Sequence, residues 1–193
     1  KKIKKELIVR MVDFFNENNI DFYLESNGGL YASKNFRPHV EKCIYGDLDN
    51  DEEARKKRDT KPNPFIEGLI YNETNLYIED VNKVCFLEAK GISFEKIKKE
   101  FEEEFEVIKC TVPVFGENSG EVMVKGIHKA IAIESLLNHL DIDKKDTIAI
   151  GDGLNDIEMF EYCNLGIAMG NSKDKLKEIA DYITDDVHED GLY

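Results

Sequence analysis

The sequence has no long apolar run, little basic charge and few cysteines, and each shortage narrows the possible functions. No apolar run approaches the roughly 18 residues of a membrane helix, so we expect neither a transmembrane segment nor a membrane partner. Residues 1–6 are rich in lysine, but no apolar stretch of about 7–15 residues follows, so we do not expect a secretory signal. The four cysteines form no CxxC pair and no zinc-site spacing with the histidines, which favours reduced thiols in a cytoplasmic protein.

The charge balance is strongly acidic. Forty acidic residues against 26 basic ones give the 193-residue chain a net charge of −14. Such a surface repels phosphate backbones, so we expect no nucleic-acid partner. A small anion can still bind where helix dipoles and one or two cations outweigh the overall field.

The first part of the chain has the pattern of an α+β domain, which we place at residues 1–122. The mixture of helices and alternating strands favours an antiparallel sheet, and we expect a mobile or helical surface segment at 46–63. The predicted helices are 3–18, 36–45 and 93–104, and the predicted strands are 20–26, 30–32, 81–87, 105–110 and 120–124.

The pattern changes near residue 125, and we predict a second domain over 123–193. Alternating helices and wholly apolar strands are typical of a parallel α/β sheet buried on both faces, so the predicted fold class is α/β. The predicted helices are 127–140, 155–162 and 173–180, and the predicted strands are 147–150, 165–169 and 182–183.

A carboxylate cluster directly follows the predicted strand 147–150. Ligands bind at the carboxyl edge of open α/β sheets, and Asp152 would lie there on a loop, free to reach a metal. Asn155 and Asp156 would lie at a helix N-terminus, which favours anions. Hard oxygen ligands of this kind suit Mg²⁺ together with a substrate phosphate. A capped turn explains the same residues equally well, since Asp-Gly is a common turn dipeptide.

The second candidate is Lys129, near the start of the preceding helix. A lysine beside a metal and a phosphate neutralises charge in both the ground state and the transition state. Taken alone, Lys129 is more simply explained as a solvated helix lysine.

Together these motifs resemble the haloacid dehalogenase superfamily, in particular its Cof-type phosphatases with a class IIB cap. The resemblance covers residues 125–193 by motif and the earlier residues only by the order of their elements. The matching runs are Lys125-Gly126-Ile127-His128-Lys129, Gly151-Asp152-Gly153-Leu154-Asn155-Asp156-Ile157-Glu158-Met159, Gly166-Ile167-Ala168-Met169-Gly170-Asn171-Ser172, Ala180-Asp181-Tyr182-Ile183-Thr184 and Glu189-Asp190-Gly191.

The resemblance implies a partial Rossmann-like core carrying an α+β cap, and a phosphatase that uses Mg²⁺. In that reaction an aspartate attacks a small phosphomonoester, such as a sugar phosphate, and water hydrolyses the aspartyl-phosphate. Carried onto this chain, Lys129 would bind phosphate, Asp152 would bind the metal and Asn155 would contact phosphate or substrate. Asp156 would orient Lys129 or a water on the metal.

The motif that supplies the nucleophile, an apolar strand followed by Asp-x-Asp, is missing from the matched runs. The Asp47-Leu48-Asp49 sequence lies in the charged stretch with no adequate strand before it, and we interpret it as solvated loop charge. A truncated polypeptide or reading frame, an N-terminal segment absent from this sequence, or a degenerate relative kept for binding would each explain this. In the first two cases the missing N-terminal segment of the same protein completes the core, and this chain alone is inactive. In the third, the chain is a non-catalytic binding or regulatory module.

Overall fold

The structure, a computed structural model, describes residues 2–71, 76–110 and 112–193. The chain folds as two compact units, Lys1–Lys125 and Gly126–Tyr193. Among the described residues, no helix combines the length and the apolar character needed to cross a membrane. The four cysteines are free thiols.

The first unit contains a six-stranded sheet with the order β3-β2-β1-β4-β6-β5. Its helices are α1 (Lys5–Glu17), α2 (Phe36–Tyr45), α3 (Glu52–Thr60), α4 (Pro64–Glu67) and α5 (Phe94–Phe101). Its strands are β1 (Phe22–Ser26), β2 (Gly29–Ala32), β3 (Leu69–Ile70), β4 (Val81–Phe86), β5 (Phe105–Lys109) and β6 (Gly120–Val124).

Two apolar clusters cover the two faces of this sheet. Helices α1 and α5 pack on one face, where α1 buries a stripe that includes Met11 and Phe15. Helices α2 and α4 contribute Phe36, Val40 and Ile66 to the cluster on the other face. The helical spacing of the apolar residues predicted α1, α2 and α5, and Ser93 caps α5 by accepting a hydrogen bond from the backbone N–H of Lys96.

The first unit differs from expectation in its short elements. Sequence periodicity missed α4 and β3, because four and two residues are too few to show a period. The sheet is mixed rather than wholly antiparallel, since β3 pairs with β2 in parallel. The charged stretch forms helix α3, which Asp51 caps by accepting hydrogen bonds from the backbone N–H groups of Glu53 and Ala54.

The second unit contains a three-stranded parallel sheet with the order β7-β8-β9, as the wholly apolar strands predicted. Its helices are α6 (Lys129–Leu140), α7 (Ile157–Tyr162) and α8 (Asp174–Ile179), and its strands are β7 (Ile148–Gly151), β8 (Leu165–Ala168) and β9 (Tyr182–Ile183). A short 3-10 turn, Leu154–Asp156, precedes α7, so the helix predicted to begin at 155 begins two residues later.

One expectation about this sheet was wrong. The apolar strand β7 was expected to be buried on both faces, yet only Ala149 is buried, while Ile148 and Ile150 are 62% and 47% exposed. Ala149 lies in a cluster with Phe160 of α7 and Leu176 of α8. Helices therefore cover only one face of the wholly apolar strand β7. The sequence of a strand does not show which of its faces other elements cover.

Candidate active site

Lys129 is the first residue of α6, and its side chain is about half exposed. A cation in the first turn of a helix is unfavourable, because the unsatisfied N–H groups there carry positive partial charge. The first turn of α6 contains no acidic residue to offset it. The compensating charge comes instead from Asp156, whose Oδ1 forms an ion pair with the ammonium of Lys129.

Asp156 is buried and uses both carboxylate oxygens. Oδ1 accepts the hydrogen bond from Lys129, and Oδ2 accepts hydrogen bonds from the backbone N–H groups of Asp152 and Gly153, each at 3.1 Å. One carboxylate therefore fixes both the loop after β7, which we call the carboxylate loop (residues 152–156), and the amine of α6. A buried charge is tolerated only when it is paired and hydrogen-bonded in this way.

Burial by itself raises the pKa of Asp156. The hydrogen bond from Lys129 and those from the backbone N–H groups of Gly153 and Asp152 act in the opposite direction and prevail. The net pKa lies below the ordinary value of 3.8, so Asp156 is ionised throughout the neutral range. Asp156 thus places a fixed negative charge beside the ammonium group of Lys129.

Replacing Lys129 with methionine is expected to raise the pKa of Asp156. Burial raises this pKa, and only the hydrogen bonds from two backbone N–H groups would remain to lower it. A carboxyl whose pKa is lowered on folding adds stability above its unfolded pKa, and that stability is lost as the pH falls through its folded pKa. The Lys129→Met chain should therefore lose stability at a higher pH than the native chain. An NMR titration of the Asp156 carboxyl carbon measures the shift, with Lys144→Met as the control for a lysine elsewhere on the surface. An unchanged pKa would contradict the pairing.

Asp152 and Asn155 are both exposed, while backbone hydrogen bonds hold the loop that carries them. The carbonyl of Asp152 accepts a hydrogen bond from the backbone N–H of Lys173 at 3.2 Å, and that of Gly151 accepts one from Met169 at 2.9 Å. Hydrogen bonds from the segment after β8 therefore hold the end of β7 and the start of the carboxylate loop. This leaves the Asp152 carboxylate on a restrained backbone at the carboxyl edge of the sheet.

Three positioning residues of this site were missed from the sequence. A Cβ at Gly151 would lie 2.5 Å from Oδ2 of Asp156, so only glycine permits the carboxylate to approach the strand end. Met169 and Lys173 act through their backbone N–H groups, which no side-chain pattern reveals. Gly151 and Met169 lie within the runs that match the family, but the sequence assigned them no role.

The Asp47-Leu48-Asp49 sequence belongs to the first unit, where it lies in the turn between α2 and α3. Asp47 Oδ1 accepts hydrogen bonds from the backbone N–H groups of Asp49 and Asn50 at 3.1 and 3.3 Å. This is a turn stabilised by its own aspartate, and it follows a helix rather than a strand. The geometry agrees with the interpretation of these carboxylates as loop charge.

The donor set of the second unit fits part of a magnesium site. Mg²⁺ is held by one or two carboxylates, several waters and substrate phosphate oxygens, and the exposed Asp152 offers one hard oxygen donor on a fixed backbone. Across the described ranges, no group of three or more His, Cys, Asp or Glu side chains is arranged to hold a metal. Asp152 is therefore one candidate ligand, and a complete Mg²⁺ site would need others from the substrate, water or further protein residues.

The fold and this site define a class of protein. In this class a parallel sheet carries a carboxylate loop at its carboxyl edge, and a buried aspartate of the loop pairs with a lysine. The family profile described as haloacid dehalogenase-like hydrolase matches residues 1–193. The chain belongs to this family.

Individual relatives agree with that assignment. The 5-amino-6-(5-phospho-D-ribitylamino)uracil phosphatase YcsE of Bacillus subtilis (strain 168) is 47% identical over 72 residues, which are 37% of this chain and 29% of that protein. A protein from Geobacillus kaustophilus HTA426 has a similar solved structure, with a TM-score of 0.73 at 23% identity. So has the subclass IIB sugar phosphatase BT4131, with a TM-score of 0.65 at 21% identity.

Both solved structures are longer than this chain. They align with 100% of it, whereas it covers 66% and 65% of theirs. The chain therefore spans about two thirds of the solved chains and less than a third of the curated relative. The resemblance to class IIB members and the α/β fold class are confirmed at the level of the fold.

Proposed function

We propose that this chain is the cap and the C-terminal part of the core of a cytoplasmic, Mg²⁺-dependent phosphatase that acts on small phosphomonoesters of the sugar-phosphate kind. We assign residues 1–122 to the cap and 123–193 to the core, except that strand β6, which crosses this boundary, belongs to the cap sheet. The observation that carries the proposal is the pairing of Lys129 with Asp156. A lysine placed against the dipole of its own helix, and tethered to a carboxylate loop, is costly for folding and useful for binding an anion.

The side chains divide the work between them. Lys129 binds a phosphate oxygen and neutralises the charge that spreads over the phosphoryl group in the transition state. Asp156 keeps Lys129 oriented, because its other oxygen is fixed by two backbone N–H groups. Asn155, exposed at the end of the carboxylate loop, contacts the phosphate or the substrate.

Asp152 is the residue that would hold Mg²⁺. When bound, the ion supplies Lewis-acid polarisation of the phosphoryl oxygens. The clamp formed by the backbone N–H groups of Met169 and Lys173 restrains the strand end and loop to which Asp152 belongs. That restraint limits the conformational entropy lost on binding, in keeping with preorganised catalytic sites.

The nucleophile comes from a segment of the same protein outside this chain, since the Asp-x-Asp aspartates of the charged stretch belong to a turn at Asp47 and to a helix cap at Asp51. An aspartate of that segment would attack the phosphorus, forming an acyl-phosphate bond as the bond to the leaving oxygen breaks. Water would then hydrolyse the acyl-phosphate and release inorganic phosphate. Residues 1–193 alone hold the lysine and the metal ligand of this reaction without its attacking group.

The turn at Asp47 also favours a second candidate function, a non-catalytic binding or regulatory module, because its aspartates stabilise the turn and do not serve as a nucleophile. If the polypeptide never carried a nucleophile, the Lys129–Asp156 pair would still form an anion site. The two candidates differ in one respect: the phosphatase requires an aspartate on an additional segment, and the binding module does not.

The test compares hydrolysis of a generic aryl phosphate in the presence of Mg²⁺ by two proteins. We expect negligible turnover by residues 1–193 at high protein concentration. We expect turnover by the same chain extended with the residues encoded immediately upstream of Lys1, because they supply the nucleophile.

Two results would overturn the proposal. Turnover by residues 1–193 that Asp49→Asn abolishes would show that the turn aspartates are the nucleophile after all. An extended chain that binds inorganic phosphate but never turns over would favour the binding module.

A further inference from the structure

The first unit contains a polar cavity of about 400 Å³ among α2, α3 and α4. Small-molecule sites in proteins are concave and have volumes of about 300–1,000 Å³, so a small metabolite fits this space. Five of its six lining residues are charged, and both signs are present. The lining residues are Arg37 and Glu41 of α2, Arg58 and Asp59 of α3, Glu67 of α4, and Pro62 between the last two helices.

Arg37 is held in place on the α2 side of this cavity. Its Nε donates a hydrogen bond to Oε1 of Glu41 at 2.9 Å, and its Nη2 donates one to Oε1 of Glu67 at 2.5 Å. The guanidinium carbon of Arg37 lies 5.4 Å from the ring centroid of Tyr71, which is a cation–π contact. These contacts tie α2 to α4, and they fix one cation and two carboxylates at the wall of the cavity.

Arg58 supplies the second cation, from α3. Its Nε donates a hydrogen bond to Oδ1 of Asp59 at 2.8 Å, and its Nη2 lies 2.8 Å from the same oxygen. Both side chains are exposed, so this pair is weak and Arg58 can take up another anion. The hydrogen bond to Asp59 and the charge of Glu41 raise the pKa of Arg58, while the charge of Arg37 opposes the rise. The charges of α2 and α3 therefore act on one another across the cavity.

The charged groups at the wall have hydrogen-bonding capacity to spare. Within the described ranges, Nη1 donates no hydrogen bond in either Arg37 or Arg58. Among the same described residues, Oε2 of Glu41 and Oε2 of Glu67 accept none. A guanidinium has five N–H donors and a carboxylate has about four acceptor sites, so the pairs at the wall satisfy only part of each group. The cavity therefore offers donors and acceptors to a ligand together.

The mixture of charges decides which ligand fits. A simple anion meets three carboxylates and a chain of net charge −14, and a simple cation meets two guanidinium groups. A molecule that carries both charges can pair with both kinds of group. We propose that this cavity binds a small zwitterion of the α-amino-acid type, whose carboxylate pairs with Arg58 and whose ammonium pairs with Glu41 and Glu67. The carboxylate is assigned to Arg58 because Arg37 already pairs with two glutamates.

This site is independent of the proposed phosphatase site. All six lining residues lie in the first unit, whereas Lys129 and Asp156 lie in the second. A failed phosphatase assay would therefore leave the zwitterion site standing, and failed zwitterion binding would leave the phosphatase standing. Because the ligand bridges α3 to α2 and α4, its binding also restrains α3.

The test is a titration of isotope-labelled residues 1–193 with L-glutamine, followed through the NMR shifts of the backbone amides. We expect saturable shifts in the millimolar range at 37–41, 58–62 and 67, since exposed ion pairs are individually weak. N-acetyl-L-glutamine lacks the ammonium, and L-glutamine amide lacks the carboxylate. Each should bind weaker by about 5-fold, the factor that corresponds to an ion pair of about 1 kcal/mol.

Two variants test the assigned residues. Arg58→Gln and Glu67→Gln should each weaken the binding of L-glutamine by a similar factor. Lys57→Gln is the matched control, because it removes the same charge as Arg58→Gln from the neighbouring, exposed position of α3, outside the lining of the cavity. It should leave the titration unchanged. Hydrogen exchange needs no variant, and the amides of 52–60 should exchange more slowly when L-glutamine is present.

Several results would each overturn the proposal. Shifts that never saturate, or equal binding by Arg58→Gln, would show that these residues form no site. Equal binding of N-acetyl-L-glutamine would make the cavity an anion site, and binding of glucose in place of L-glutamine would make it a polyol site. Unchanged exchange of 52–60 would show that the ligand does not bridge the helices.

Discussion

Asp152→Ala in the protein with its core completed is expected to lower Mg²⁺-dependent kcat/KM by more than about 100-fold. The reason is that Asp152 carries an exposed carboxylate on the restrained carboxyl edge of the sheet. Loss of groups that merely orient a metal ligand typically costs 10–100-fold, so loss of the ligand should cost more. Phosphatase assays over a range of Mg²⁺ concentrations measure the effect, and isothermal titration with Mg²⁺ shows whether binding is lost.

Glu178→Ala is the control for Asp152→Ala, because Glu178 is an exposed carboxylate on α8. It should leave both kcat and the Mg²⁺ dependence unchanged. Lys129→Ala should differ from Asp152→Ala by raising KM for the phosphate ester as well as lowering kcat. If Asp152→Ala keeps full activity, the assignment of the metal ligand is wrong.

Asp156→Ala is expected to destabilise the second unit by about 2–4 kcal/mol. It removes the acceptor of two backbone N–H groups and leaves the ammonium of Lys129 at a helix N-terminus without its counter-charge. Leaving buried donors unsatisfied costs about 1–3 kcal/mol, and breaking a buried pair costs more. Lys129 is half exposed and the two N–H hydrogen bonds are only partly buried, which keeps the estimate below the full value for a buried pair. Urea unfolding monitored by NMR signals of the second unit measures the change.

Asp143→Ala is the matched control for the stability measurement. Asp143 also accepts a backbone hydrogen bond and pairs with a lysine, Lys145, but it is exposed. Solvent replaces its contacts, so little change in stability is expected. An equally small effect of Asp156→Ala would show that the Asp156 contacts do not hold the carboxylate loop.

Sequence analysis predicted best the elements whose apolar residues follow a clear pattern along the whole element. Helices α1 and α6 and strands β4 and β7 lie where apolar residues recur at helical spacing or cluster in a short run. In α1 the packing also follows the pattern, since Ile8, Met11, Val12 and Phe15 are buried. The contact of Lys129 with Asp156 could be expected only from the family resemblance, because 27 residues separate them along the chain. No local pattern encodes such a contact.

The parts that could not be predicted depend on neighbours in space. The backbone N–H of Met169 reaches the end of β7 and that of Lys173 reaches the carboxylate loop because β8 lies beside β7, and every non-proline residue carries such a donor. The exposure of Ile148 likewise depends on what covers the sheet. The parallel pairing of β3 escaped prediction because two residues carry no register signal.

The order of the first sheet bears on how its loops can evolve. Strands β1 and β2 are joined by a tight turn, whereas β1 meets β4 only across residues 33–80, which carry α2, α3 and α4. The entropy lost on closing a loop grows with the logarithm of its length, and each doubling costs only about 0.6 kcal/mol. Helices α2 and α4 and strand β3 of this segment belong to the core and to the sheet, whereas α3 buries only Ala54. The part around α3 can therefore lengthen or shorten at small cost to the pairing of β1 with β4.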